Sequence, residues 1–191
     1  MIAALLFAAS TLHAEDARRA DAARLMNELM SGRTPVGSAF ALPDASGKLR
    51  SLVEFRGRLV LLYFGYTYCP DVCPTDLVAI GGALRLLGDK AAGVQPLFVT
   101  LDPARDTPQV LREYAAAFHP SFVALRGSEA ETRQIARGYK VFYERVDDGK
   151  GSYLIDHAAF TFLLDRNGKY VAFLPPGTKP ERIAAMLKDQ L

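Results

Sequence analysis

The sequence predicts an α/β domain with a mainly parallel central sheet, and three observations carry that prediction. Two continuous apolar runs rich in strand formers, Leu59 to Phe64 and Val94 to Leu101, read as strands buried on both faces. Segments with helical spacing of apolar residues separate and follow them. A late pair of apolar runs flanks Asn167-Gly168, a strong hairpin signal. Length fits one domain of this kind plus an N-terminal extra: the chain has 191 residues, half of them apolar.

The first 14 residues form a compositional unit of their own. Ile2 to Ala9 is apolar, small residues follow to Ala14, and the charged segment Glu15-Asp16-Ala17-Arg18-Arg19 comes next. A run this short falls below the roughly 20 residues that span a bilayer. It fits the apolar region of a secretion signal cleaved after Ala14, or the tail of a longer anchor, although no Lys or Arg precedes it. Residues 15–34 are rich in Ala, Arg and Glu, with Leu25, Met26, Leu29 and Met30 partly periodic, and read as a loosely docked helical stalk. Residues 35–191 form the domain.

Within the domain, Phe40 and Leu42 and then Leu49 to Phe55 flank the turn residues Asp44 to Lys48, which reads as a β-hairpin. The first buried strand leads through a cysteine-bearing loop into a helix from about Pro74 to Leu87. Gly81-Gly82 inside that helix costs about 1 kcal/mol per glycine relative to Ala, and close approach of another backbone is the reading that explains it. After the second buried strand, Thr107-Pro108 opens a helix whose inner face is Val110, Leu111, Tyr114 and Phe118. Ser121 to Leu125 is a short strand, and Ser128-x-x-Glu131 is a capping box for the next helix. Val141 to Val146 reads as a further strand. Ala158 to Leu164 and Tyr170 to Leu174 form the late hairpin, and Thr178-x-x-Glu181 caps the last helix. A βαβ unit followed by a hairpin and a final helix is the thioredoxin arrangement. The expected fold is thus thioredoxin-like, with an N-terminal β-hairpin extension and an inserted α/β element.

The net charge is +2, without a run of Lys or Arg interleaved with aromatics, so nucleic acid is not an expected partner. A phosphate-binding glycine loop, a serine triad and a zinc-spaced motif are absent from the sequence. The chemistry lies in Tyr63-Phe64-Gly65-Tyr66-Thr67-Tyr68-Cys69-Pro70-Asp71-Val72-Cys73-Pro74, which holds the only two cysteines. The segment runs from the end of a buried strand into a helix, where active sites of α/β sheets gather. Free N–H groups and the positive end of the helix dipole favour thiolate over thiol there. One helical turn puts both sulfurs on one face. A disulfide closing so short a loop would stabilise by only about 2 kcal/mol, too little to explain the motif as a staple. Two thiolates suit Cu(I) or disulfide exchange alike, and an imidazole is the natural third ligand for Cu(II). Of the three histidines, His13 lies in the leader-like segment and His119 at a helix end. His157, in Asp156-His157-Ala158-Ala159-Phe160, lies just before the late hairpin strand, where the loop entering that strand faces the cysteine loop in a thioredoxin fold. Oxidoreductases place a cis-proline there, and this chain has no proline between Pro120 and Pro175. Tyr66 and Tyr68 are expected to wall the site. Asp102 and Asp106 are expected to shape the loop and helix start near Pro108, and Asp156 to orient His157 from behind.

The cysteine segment resembles the Sco/SenC signature, in which a Tyr-Phe-Gly-Tyr run leads into Cys-Pro-x-x-Cys-Pro. Val99 to Pro108 resembles a second block of that family, and Asp156-His157-Ala158-Ala159-Phe160 its histidine stretch. The resemblance covers roughly residues 35–190. It implies an exported, periplasmic metallochaperone, acting as a monomer, tethered to the inner membrane or free of it. Its cargo would be one copper ion held by Cys69, Cys73 and His157, and its partner the copper-accepting subunit of cytochrome c oxidase, with another copper chaperone or thiol reductase upstream. The alternative is a thiol–disulfide oxidoreductase in which Cys69 and Cys73 are the redox pair that reduces the oxidase subunit or other envelope proteins. A copper-responsive regulatory role is open to the same residues.

Overall fold

The computed structural model describes the backbone of residues 2–191 and the side chains from Asp16 onward. The side chains of the leader-like segment 1–14, His13 among them, lie outside the described residues. Helix α1 (Ile2–Ser31) runs through that segment and the stalk-like one as a single element, and its last turns bury Leu25 and Leu29. Arg18 pairs with Glu144 at 3.0 Å and Glu28 with Lys140 at 2.8 Å, so α1 is tied to the domain as well as packed on it. Among the described residues, no helix is long and apolar enough to cross a membrane.

Strands β1 (Ala41–Pro43) and β2 (Leu49–Ser51) form the N-terminal hairpin, turned by Asp44, whose Oδ1 accepts N–H bonds from Ser46 and Lys48. The second run does not continue as strand to Phe55. Ser51 and Glu54 form a reciprocal cap that turns Leu52–Phe55 into a 3₁₀ helix. The main sheet contains β3 (Leu59–Gly65), β4 (Val94–Thr100), β5 (Val123–Leu125), β8 (Thr161–Leu164) and β9 (Tyr170–Leu174), in the order β5-β4-β3-β8-β9. The β3–β4 and β4–β5 pairs are parallel, and β8 and β9 run antiparallel. The apolar runs of β3 and β4 are buried at every position, as a strand covered on both faces requires. An isolated bridge from Asp44 to Leu125, with the Arg126 N–H donating to Pro43 at 2.9 Å, lays the N-terminal hairpin along the β5 edge and covers it.

Helices α2 (Val72–Leu87), α3 (Pro108–Phe118), α4 (Glu129–Gly138) and α5 (Pro180–Lys188) complete the domain. The expected capping box holds at α4: Ser128 Oγ accepts from the Glu131 N–H, and Glu131 reaches back to the Ser128 N–H at 2.8 Å. At α5 the cap residue is Lys179, and the Thr178 hydroxyl donates instead to the Pro175 carbonyl at 2.6 Å. A methyl group on Gly81 would come within 2.5 Å of the Phe118 carbonyl oxygen, so α2 needs glycine where α3 ends against it.

The chief departure from the sequence reading lies between α4 and β8. The strand read over 141–146 is β6 (Tyr143–Asp147), and it pairs with an unforeseen strand, β7 (Tyr153–His157). The two form a hairpin separate from the main sheet, with Tyr143 opposite His157. Its turn residues, Asp148 to Ser152, carry the usual Asp/Gly/Ser signals. The outer face of β7, with exposed Leu154 and Asp156, blurs the apolar alternation that would have revealed it.

Candidate metal centre

Three segments meet at the carboxyl end of β3. Gly65 ends the strand, and the loop to α2 follows, with the Cys69 N–H donating to the Tyr66 carbonyl at 3.3 Å. Helix α2 begins two residues earlier than its sequence pattern predicts, so Cys73 lies in its first turn and the Cys73 N–H donates to Cys69 Sγ at 3.4 Å. That contact is the helix-start arrangement expected from the spacing: a sulfur accepts from an N–H that the helix leaves free. Both thiols are free and buried, Cys73 completely and Cys69 at 9% exposure. Gly65 makes room for them, since a Cβ there would lie 3.0 Å from Cys73 Sγ and 2.8 Å from the Tyr63 ring.

The third segment is β7. It places His157 so that its Nε2 lies 3.4 Å from Cys73 Sγ, while Nδ1 is buried without a hydrogen-bond partner. The Tyr66 ring stands edge-on to the imidazole, with centroids 6.1 Å apart and planes at 80°. Tyr66 walls the site as expected. Tyr68 instead lies at 56% exposure beside Arg105. Asp156 does not support the imidazole: alternation along β7 sends it to the exposed outer face. Asp156 and His157 both border a cavity of about 600 Å³ between α1 and the β6–β7 hairpin. Among the described residues no peptide bond is cis, and Ala158 to Phe160 occupy the entry to β8. His119 pairs instead through its Nδ1 with the Ser121 hydroxyl at 2.7 Å.

The two sulfurs have opposite electrostatics. Hydrogen bonding from Cys73 holds the Cys69 thiol down at about 4, with His157 and the N–H groups of Asp71 and Cys73 adding to it, against the cost of burial. Cys73 is pushed far up, by its neighbour Cys69 first and by burial second. The reduced site is therefore a thiolate at Cys69 above a thiol at Cys73.

Asp102 and Asp106 shape the loop as expected, but neither caps α3. Asp106 is fully buried and accepts from the Thr67 N–H at 3.1 Å, the Thr67 hydroxyl and the Thr100 hydroxyl. It fastens the cysteine loop to the end of β4. The cap of α3 is Thr107, whose hydroxyl accepts from the Val110 N–H. Asp102, also fully buried, accepts from the Tyr153 hydroxyl at 2.8 Å and from Arg105.

Sequence reasoning missed Asp76. It is a buried carboxyl one turn beyond Cys73, accepting from the Tyr63 hydroxyl at 3.2 Å and the Gly177 N–H at 2.8 Å. Burial raises its pKa. An acidic residue on the apolar face of α2 was the available signal. Among the described residues no set of three or more His, Cys, Asp or Glu stands ready-made around a metal position. The Cys73–His157 contact nonetheless suits a shared ion. Metal–sulfur and metal–nitrogen bonds of about 2.3 and 2.0 Å at a tetrahedral angle separate the two ligand atoms by about 3.5 Å.

Comparison with known proteins places the chain. The SCO1/SenC family model matches residues 29–191. A SCO2-like protein of Rickettsia felis is 41% identical over 155 residues, covering 80% of this chain and 76% of the relative. The solved structure of Bradyrhizobium japonicum ScoI with copper bound overlays with a TM-score of 0.76 at 38% identity, covering 82% of this chain and 99% of that one. BsSco, described as a member of the Sco family of cytochrome c oxidase assembly proteins and as carrying a disulfide switch, shares the thioredoxin-like fold. It overlays with a TM-score of 0.63 at 22% identity, covering 82% of this chain and 95% of that one. A match that runs from the end of α1 through the last residue, together with that degree of identity, makes this chain a member of the SCO1/SenC family.

Proposed function

We propose that this protein is an exported copper metallochaperone that holds one copper ion through Cys69, Cys73 and His157 and delivers it to the binuclear copper site of cytochrome c oxidase. The observation that carries the reading is the meeting of two thiols and one imidazole at a strand end, with Cys73 Sγ 3.4 Å from His157 Nε2. Thiolates select soft Cu(I), and the imidazole extends the set to Cu(II). Cys69 sits on a loop and already carries the thiolate, so it can swing to a shared ion with little proton loss. Ligand exchange with the oxidase subunit then moves the ion without a bond to carbon being made or broken. The copper-bound relative and the role in cytochrome c oxidase assembly given for the Sco family support the reading, and the leader-like N-terminus supports export to the periplasm.

The decisive measurement is titration of the reduced protein with Cu(I) and with Cu(II), repeated on His157→Ala. The variant is expected to lose at least tenfold in Cu(II) affinity and to keep most of its Cu(I) affinity, because two thiolates suffice for Cu(I). Unchanged Cu(II) binding would remove His157 from the site.

One observation favours a second reading. A thiolate at Cys69 beside a buried thiol at Cys73 is also the arrangement of an attacking and a resolving cysteine. In that reading Cys69 attacks a partner disulfide, a mixed disulfide forms, and Cys73 displaces the reduced partner as the Cys69–Cys73 disulfide closes. The two roles are compatible, since the oxidised pair has no thiolate to offer a metal. Turnover on generic disulfides in the absence of copper would favour the enzyme; a strongly reducing potential with copper-dependent activity favours the chaperone.

A further inference from the structure

The candidate metal centre is assembled from two parts that share no sheet. The cysteines follow β3 in the main sheet, whereas His157 ends β7 in a separate two-stranded hairpin. The β3–β8 ladder stops at the Tyr63–Thr161 pair, four residues past His157, and Tyr66 in the cysteine loop bonds to the backbone of Ile155 on β7, so side chains complete the placement of the imidazole. Arg105, in the loop between β4 and α3, is placed to do so. Its Nε donates to Asp102 Oδ2 at 2.5 Å, and its Nη1 donates to the Tyr153 carbonyl at 2.9 Å and the Ser152 hydroxyl at 3.3 Å. The guanidinium Cζ lies over the Tyr153 ring, 3.6 Å from its centroid, and 4.8 Å from the centroid of the Tyr68 ring. Tyr68 adjoins Cys69, and Tyr153 lies on the same face of β7 as His157. The Tyr153 hydroxyl returns to the same Asp102 carboxylate at 2.8 Å, closing the ring of contacts.

We propose that Arg105 is a positioning residue that clamps the β6–β7 hairpin to the cysteine loop and thereby sets the gap between His157 and Cys73. The proposal deepens the copper reading and rests on it for its consequence, since an imidazole that drifts from the thiols leaves Cu(II) short of a ligand. The planar fork is essential. It stacks on an aromatic ring while donating in its own plane, which a lysine ammonium cannot reproduce.

The test uses the full chain in reduced form, with Arg105→Met, Arg105→Lys and Tyr153→Phe compared with the parent and with His157→Ala. The first readout needs no metal. The parent is expected to show nuclear Overhauser contacts between the His157 ring and Cys73, and exchange protection at the amides of Tyr153 to His157, which pair with β6. Arg105→Met is expected to lose those contacts and at least tenfold of that protection while the amides of β3 and β4 stay protected. Retained contacts and protection would overturn the clamp, whatever the protein does with copper. The second readout is Cu(II). Loss of a group that orients a ligand costs about 10–100-fold in metal affinity. Arg105→Met is expected to fall in that range and to lose nitrogen hyperfine coupling from the imidazole, with Cu(I) affinity changed less than about threefold. Equal Cu(II) affinity and hyperfine coupling in Arg105→Met and the parent would likewise overturn it. If His157→Ala itself leaves Cu(II) binding unchanged, the copper reading fails, and the metal-free readout still decides the clamp. Should Arg105→Met not fold, Arg105→Lys decides it by both readouts, with Tyr153→Phe expected to show a smaller loss in the same direction because it keeps the stacking ring.

Discussion

At the scale of single residues, the two cysteines are unequal for reasons visible in their surroundings. Cys69 takes a hydrogen bond from the Cys73 thiol first, then from His157 and the N–H groups of Asp71 and Cys73, so its negative charge is solvated by the protein despite burial. Cys73 has Gly65 and the rings of Tyr63 and Tyr66 around it and a thiolate beside it, so a second negative charge there is unfavourable. With Cys69 held down at about 4, the thiolate is present throughout the neutral range. Alkylation of reduced protein by iodoacetamide is therefore expected to label Cys69 at nearly the same rate at pH 6 and pH 8, read by mass spectrometry of the modified peptide. A thiol with an ordinary pKa of about 8.5 would slow about a hundredfold over that interval. Cys73 is expected to resist the reagent at both. The sign for stability follows. Between pH 5 and 8 the unfolded chain binds the Cys69 proton and the native state does not, so this group adds stability as pH rises through that range and the contribution disappears as pH falls through about 4.

At the scale of elements, the glycines of α2 show propensity yielding to contact. By helix propensity alone, Gly81→Ala should stabilise by about 1 kcal/mol. The Phe118 carbonyl at 2.5 Å from the new Cβ is backbone and cannot rotate away, so α2 and α3 must separate. Gly81→Ala is expected to destabilise the protein by about 1–3 kcal/mol, measured by urea unfolding, the range for overpacking a close contact. The hairpin β6–β7 is the opposite case, an element that contact creates. Its strands alternate imperfectly and share no hydrogen bonds with the main sheet. They are held by buried Ile155, by the Ala158 N–H donating to Phe142 at 3.0 Å, and by Arg105. Local pattern gives no strand over Tyr153 to His157, so the residues that position the imidazole are not visible in it.

At the scale of the whole molecule, α1 is where chain and domain join. Leu29 belongs to the main apolar core, in which Phe40 and Tyr139 also lie, and Leu25 is buried alongside. Leu29→Ala is expected to cost about 2–5 kcal/mol, the range for emptying a buried leucine site, read as a lower urea midpoint with unchanged slope. A stalk free of the domain would show no such loss. The main sheet, the capped helix α4, the late hairpin and the cysteine loop were legible because each is written in local chemistry: period, turn residues, caps and a paired-cysteine spacing. By itself the sequence determined a thioredoxin-like domain with two reactive thiols at a helix start, and it pointed to His157 through the loop that thioredoxin folds set opposite the cysteines. Tertiary structure alone decided that His157 lies within 3.4 Å of Cys73, that Asp156 faces away, that Asp76 is buried beside the site and that Arg105 ties the two halves together. The physical reason is range. Hydrogen-bonded turns and helix starts are settled between residues a few positions apart. The gap between a thiol and an imidazole 84 positions apart is set by how separately formed elements pack.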